Sequence, residues 1–126
     1  MRIFVKAKHV LMSEYAPKIS VVLPFYNAGQ TLDRAIESIS RQHFENFECI
    51  LVDNNSTDRG NEIALRWVKG DSRFILINEE RQGVMFASNR GCDSARGAYI
   101  ARMDADDVAW PGRLRLLRVT ICHRKA

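Results

Sequence analysis

The sequence predicts an α/β fold, an open and mostly parallel sheet with helices on both faces. Three observations carry this. From Ile19 onward short, largely apolar runs, rich in β-branched residues, alternate with amphipathic helical segments, the runs do not alternate regularly with polar residues, and each ends in a polar cluster.

The elements follow in order. Ile19-Ser20-Val21-Val22-Leu23, stopped by Pro24, reads as a strand buried on both faces. Leu32, Ala35, Ile36 and Ile39 then recur at the spacing of a helix with one apolar stripe. Cys49-Ile50-Leu51-Val52 is a second strand ending at Asp53, and the polar cluster from Asn54 to Asp58 supplies turn and capping chemistry for a helix through about Lys69, with Gly70 as its stop. Phe74-Ile75-Leu76-Ile77 is a third strand. A helix over about Val84 to Arg96 follows, in which Ala87, Gly91 and Ala95 form a small-residue stripe that lets it lie close to a sheet. The fourth strand is Ala98 to Met103, ending in Asp104.

Right-handed parallel crossovers place ligands beyond the carboxyl ends of the strands, where strand order reverses. Those ends carry Pro24-Phe25-Tyr26-Asn27, Asp53-Asn54-Asn55-Ser56, Asn78-Glu79-Glu80 and Asp104-Ala105-Asp106-Asp107. The pattern does not fix the strand order; if the four strands run third, second, first, fourth, the crevice lies between Tyr26 and Asp104.

Composition narrows the function classes. The 126 residues are 46% hydrophobic and 27% charged, the range of one globular domain. The net charge of +4 comes from the end of the chain: Arg113, Arg115, Arg118, Arg124 and Lys125 fall there without an acid, and the remaining 14 basic and 15 acidic residues give a body of net charge −1. That body offers no nucleic-acid footprint. Cys49, Cys92 and Cys122 are odd in number and lack CxxC spacing, which speaks against a disulfide framework or a zinc site and for a reducing, cytoplasmic location. No apolar run approaches a membrane span. No GxGxxG or GxxxxGK[ST] is present, so dehydrogenase and P-loop readings lose their usual phosphate cradle.

The acidic turn is the most informative stretch. Three carboxylates at one strand end repel one another unless a cation or strong donors hold them, and Mg²⁺ or Mn²⁺ is bound by one or two carboxylates together with substrate phosphates. Asp104 and Asp106, two apart in an extended turn, are the candidate ligands. The alternative is a solvated acidic turn whose last residue, Asp107, caps a helix beginning near Pro111. Asp53 is suited to accept hydrogen bonds from a base or ribose, or to close an Asx turn. Tyr26 is placed to stack on a base or to cover the sheet edge. Trp67 and Trp110 are both read as core residues, and His9, His43 and His123 as surface residues.

Taken together, Val21-Val22-Leu23-Pro24-Phe25-Tyr26-Asn27, the run Phe47 to Asp58, Asn89-Arg90-Gly91, and Gly97-Ala98-Tyr99-Ile100 leading into Asp104-Ala105-Asp106-Asp107 resemble the N-terminal, nucleotide-sugar-binding half of family 2 glycosyltransferases, a Rossmann-like half of the GT-A fold. The resemblance covers about Lys18 to Leu116. It implies inverting transfer from a nucleotide-diphosphate sugar, most plainly a UDP-sugar. Pro24, Tyr26, Asn27, Asp53, Asn55 and Asp104 are then nucleotide-binding residues, and Asp104 and Asp106 the DxD pair that holds Mg²⁺ or Mn²⁺. The family's catalytic base and acceptor-binding residues lie further downstream. The resemblance also implies polysaccharide biosynthesis, with peripheral contact at the cytoplasmic membrane face.

The expected organisation is an extension over residues 1–17, outside the core, with an added edge strand through Ile3-Phe4-Val5 as the alternative, a nucleotide-sugar-binding domain over 18–117, and a basic tail over 118–126 that departs from the family and reads as a truncation or frameshift. An incomplete sheet of this kind favours self-association. The isolated chain is expected to be inactive. The rival readings are a metal-dependent nucleotidyltransferase and a non-enzymatic fragment.

Overall fold

In the computed structural model, residues 2–5 and 17–116 are described. The strands are β1 (Arg2–Val5), β2 (Ile19–Phe25), β3 (Phe47–Asp53), β4 (Phe74–Asn78) and β5 (Tyr99–Arg102), and the helices α1 (Leu32–Ser40), α2 (Gly60–Gly70), α3 (Val84–Ser94) and α4 (Arg113–Leu116). The sheet order is β1-β5-β2-β3-β4. Strands β2 to β5 are parallel to one another, in an order that the sequence pattern leaves open, and β1 is antiparallel to β5.

Successive residues of a strand point to opposite faces, and each face meets its own helices. Val21, Leu23, Cys49, Leu51, Phe74 and Ala101 pack with Leu32, Ile36 and Ile39 of α1 and Ile63 and Ala64 of α2. The intervening Val22, Ile50, Val52 and Ile100 pack with Ala87 of α3 and with Ala95. Both faces are therefore covered, which is why β2 and β3 are buried at every position. Each large aliphatic side chain so buried contributes about 1.5–3 kcal/mol.

The expectation that residues 1–17 lie outside the core is corrected for residues 2–5. Their backbone adds a strand to the free edge of β5, Ile3 opposite Ala101 and Phe4 opposite Ile100. Edge pairing satisfies backbone groups and requires no apolar period in the sequence, so the periodicity carried no signal of it. Residues 6–16 and the basic tail over 118–126 lie outside the described residues.

Two polar networks hold the frame. At the amino edge of the sheet, buried Glu48 accepts from Ser20 Oγ (2.5 Å), from the Arg96 backbone N–H (2.7 Å) and from Arg96 Nε (3.0 Å), while Gly97 N donates to Ser20 Oγ (2.8 Å). This ties the end of α3 to the start of β2 and β3. After α2, Arg73 Nη2 donates to Asp71 Oδ2 at 2.7 Å, and that bond holds the Asp71 carboxyl below the usual carboxylate range. Burial pushes the Cys49 thiol up, so it stays protonated and unreactive.

α3 approaches β2 and β3 so closely that a Cβ on Gly91 would lie 2.4 Å from Val22 Cγ1 and 3.0 Å from Val52 Cγ2. Gly91→Ala should therefore destabilise the chain by about 1–3 kcal/mol through overpacking. Gly70→Ala, where nothing lies within 4 Å, should be neutral or stabilising by up to about 1 kcal/mol through helix propensity. Urea unfolding of the two variants checks the pair; equal midpoints would contradict the close packing of α3. The depressed Asp71 carboxyl contributes stability above its unfolded pKa and loses it as pH falls through its lower folded value. Asp71→Asn should accordingly lower stability at pH 7 and flatten the loss on acidification below about pH 4, measured by the same unfolding at stepped pH.

Candidate functional site

In-register pairing places Phe25, Asp53 and Asn78 side by side at the carboxyl edge of the sheet. The connections that leave this edge are joined to one another by side chains rather than by regular structure.

The first clasp joins the loop after β2 to the loop after β3. Asn27 Oδ1 accepts from Thr57 N at 2.8 Å, Thr57 Oγ1 at 3.3 Å and Asp58 N at 3.3 Å, while Asn27 N donates to Ser56 Oγ at 3.0 Å. Asp58 accepts from Gly29 N (2.8 Å) and from Gly60 N (2.9 Å), the latter at the first turn of α2. Asn27 and Asn55 both adopt positive φ, 49° and 64°, a region that asparagine tolerates better than other side-chain-bearing residues. Polar residues at these positions thus set the backbone path, and Asn55 itself is exposed.

Asp53 is 3% exposed. Its Oδ1 accepts from Ser56 N at 2.8 Å, closing a turn one residue longer than an Asx turn, and its Oδ2 from Asn61 Nδ2 at 2.8 Å. Each oxygen keeps a further lone pair, so the turn and an additional acceptor role are compatible. Pro24 lies within β2 opposite Val52 and is buried; the strand continues through it to Phe25 rather than stopping there. Tyr26, the next residue, is 52% exposed at the central strand end.

Asn54 makes a second clasp that sequence reasoning missed. Its Nδ2 donates to Glu79 O (2.9 Å) and Arg81 O (2.7 Å), and its Oδ1 accepts from Gly83 N (2.9 Å). Its own backbone N donates to Phe25 O. Both amide hydrogens and the carbonyl oxygen are bonded, and the side chain holds the loop between β4 and α3 against the end of β3. Glu79 is also buried and pairs with Arg81, whose guanidinium lies 4.7 Å from the centre of the Phe86 ring. In the sequence, Asn54 is indistinguishable from its neighbours in a turn-forming cluster.

The acidic turn follows β5. Asp104, Asp106 and Asp107 are exposed, and one oxygen from each lies within 4.8 Å of the others. Asp107 N donates to Asp104 O (3.1 Å), closing the turn, and Arg102 Nη2 stands 3.8 Å from Asp104 Oδ1. A compact set of exposed carboxylate oxygens fits a hard divalent cation. The capping alternative does not hold, because α4 begins at Arg113, beyond capping reach of Asp107, with Pro111 in the preceding turn. Trp110 is also corrected from core to surface: it is 51% exposed and lines a cleft of about 270 Å³ with Met103, Asp107, Val108, Ala109 and Arg113. Trp67 packs on the core as expected, its ring beside Phe74 and its Nε1 donating to Asp33.

Residues 20–124 match the family model described as Glycosyl transferase family 2. The match includes 118–124, the stretch expected to depart from the family. The glycosyltransferase GlyG of Streptococcus pneumoniae is 41% identical over 109 residues, which are 86% of this chain and 36% of GlyG. Among solved structures, S. aureus TarS in complex with UDP aligns with a TM-score of 0.73 and 25% identity over 78% of this chain and 30% of the TarS chain. The mannosyltransferase PcManGT of Pyrobaculum calidifontis, in complex with GDP-Man and Mn²⁺, aligns with a TM-score of 0.70 and 29% identity over 79% of this chain and 30% of its own. The chain spans about a third of the length of these relatives.

Asn54→Ala should leave the backbone partners at Glu79, Arg81 and Gly83 without their internal bonds and cost about 1–3 kcal/mol. Amide exchange at Gly83 should accelerate well beyond that at Val21 and Leu51. Equal protection of Gly83 in variant and parent would show that Asn54 does not hold the loop.

Proposed function

The chain belongs to glycosyl transferase family 2, and we propose that it is the donor-binding part of an inverting glycosyltransferase that takes a nucleotide-diphosphate sugar, a UDP-sugar in the first instance. The observation that carries this is the convergence of Asp104, Asp106 and Asp107 on a strand end beside β2, whose other neighbour ends in Asp53.

In this reading Tyr26 borders or stacks on the base, and Asp53 accepts from it through the lone pairs left over from its turn. Pro24, Asn27 and Asn55 shape the loops around the nucleoside. Asp104 lies toward the ribose and metal, and Asp106, with Asp104, holds Mg²⁺ or Mn²⁺. The bound ion supplies charge neutralisation to the departing nucleoside diphosphate. The chain's own residues orient the donor and would hold the ion that offsets the repulsion a bare diphosphate meets from these carboxylates. Support comes from the UDP bound by TarS and the GDP-Man and Mn²⁺ bound by PcManGT.

The acceptor site and catalytic base belong, on this proposal, to the part of the relatives that this chain does not span. The same reading places the protein in polysaccharide biosynthesis at the cytoplasmic face, with peripheral membrane contact and self-association through the sheet edges. No described helix is long and apolar enough to cross a membrane. No specific observation favours the nucleotidyltransferase or non-enzymatic alternatives over this one.

Titration calorimetry with UDP should show binding that needs Mn²⁺ or Mg²⁺. Asp106→Asn should weaken it about tenfold or more, and Asp107→Asn less. Equal binding without metal would overturn the role of the acidic turn, and a larger loss at Asp107 would move the ligand to that carboxylate.

A further inference from the structure

The acidic turn is strung between two anchors. On one side Met103 N donates to Val22 O at 3.0 Å, fixing the turn to β2. On the other side the chain is fastened to the end of α1 and the residues just after it. Ala109 N donates to Ser38 Oγ (3.0 Å), Gln42 Nε2 donates to Trp110 O (2.9 Å), His43 N donates to Pro111 O (2.8 Å), and Leu114 N donates to Gln42 Oε1 (2.9 Å). Gln42 is 5% exposed. Its second amide hydrogen goes to Ser38 O (3.2 Å), and Ser38 Oγ donates to Ala35 O (2.7 Å), so both side chains are satisfied and oriented by α1 itself. Two donors on carbonyls and one acceptor on an N–H leave a single orientation for the Gln42 amide.

We propose that Ser38 and Gln42 are positioning residues for the metal-binding turn: they hold its downstream end so that the carboxylates of Asp104 and Asp106 converge. The inference rests on the donor-site reading above for the identity of the ligand, but not for the ordering it asserts. Three like charges within 4.8 Å spread apart when the backbone between them is free to move, and binding a cation then requires that freedom to be lost. Fixing both ends of the turn in advance removes part of that cost. The donors and acceptors involved belong to Ser38 of α1 and to Gln42 and His43 just after it; their action passes through Ala109 to Leu114.

The test uses the metal-free chain first and then Mn²⁺ alone as probe. In Gln42→Leu and Ser38→Ala, the ¹⁵N–¹H heteronuclear NOE of the Asp104, Ala105, Asp106 and Asp107 amides should fall while Val21 and Leu51 keep their parent values. The Mn²⁺ dissociation constant should rise about tenfold in Gln42→Leu, and by less in Ser38→Ala. Ser38→Thr, which keeps the hydroxyl, should restore both readouts. Unchanged order of the turn in both variants would overturn the proposal, as would a loosened turn with unchanged Mn²⁺ affinity. If Gln42→Leu does not fold, Ser38→Ala against Ser38→Thr decides the same question. A parent chain with no Mn²⁺ affinity would refute the metal reading, and the NOE comparison would still decide the anchoring.

Discussion

Strands β2 and β3 are paired in register from Ile19 opposite Phe47 to Phe25 opposite Asp53, and no position along either is open to solvent. Everything else depends on that constraint. A parallel pair covered on both faces has no room for polar chemistry along its length, so the polar side chains gather where the strands end. At the amino edge the polar groups are consumed internally, Glu48 by Ser20 and Arg96. At the carboxyl edge the network is built differently: Asn27, Asn54, Asp53 and Asp58 spend their bonds on fixing loops, and Asp104, Asp106 and Asp107 are left facing solvent.

That division explains why the site carries charge. Carboxylates about 5 Å apart repel by roughly 1 kcal/mol per pair at the dielectric of water, a cost that a folded chain tolerates when a ligand or fixed backbone answers it. Arg102, 3.8 Å from Asp104, answers part of it from below. The anchors at Met103 and at Ala109 to Leu114 answer it mechanically. On the proposed reading a divalent cation would complete the balance; the structurally similar PcManGT is the protein that holds GDP-Man and Mn²⁺.

The parts legible in the sequence are those with a period. The β-branched runs of β2, β3 and β4, the stripe of Leu32, Ala35, Ile36 and Ile39, and the small-residue face of α3 declare themselves because burial acts on every second or every third to fourth residue. The cluster of acids after β5 was legible because like charges at a strand end need a reason. Asn54 and Gln42 were not legible: each is one amide among many, and its importance comes from partners 25 to 72 residues away in the chain. β1 is only an alternative in the sequence because an edge strand pairs by backbone and leaves no period, and Trp110 is read as core because an indole looks the same in sequence whether it fills a core or lines a cleft.

The central claim is one of location, that nucleotide and cation meet between Tyr26, Asp53 and the acidic turn. Paramagnetic broadening by Mn²⁺ in the presence of UDP measures it most directly. Amide signals of Asp104 to Asp107 should vanish first, with those of Tyr26, Asn27 and Asn55 next, while Glu48 and Gly97 at the opposite edge of the sheet stay sharp. Broadening centred on any other group of residues, or spread evenly over the exposed carboxylates, would contradict the account.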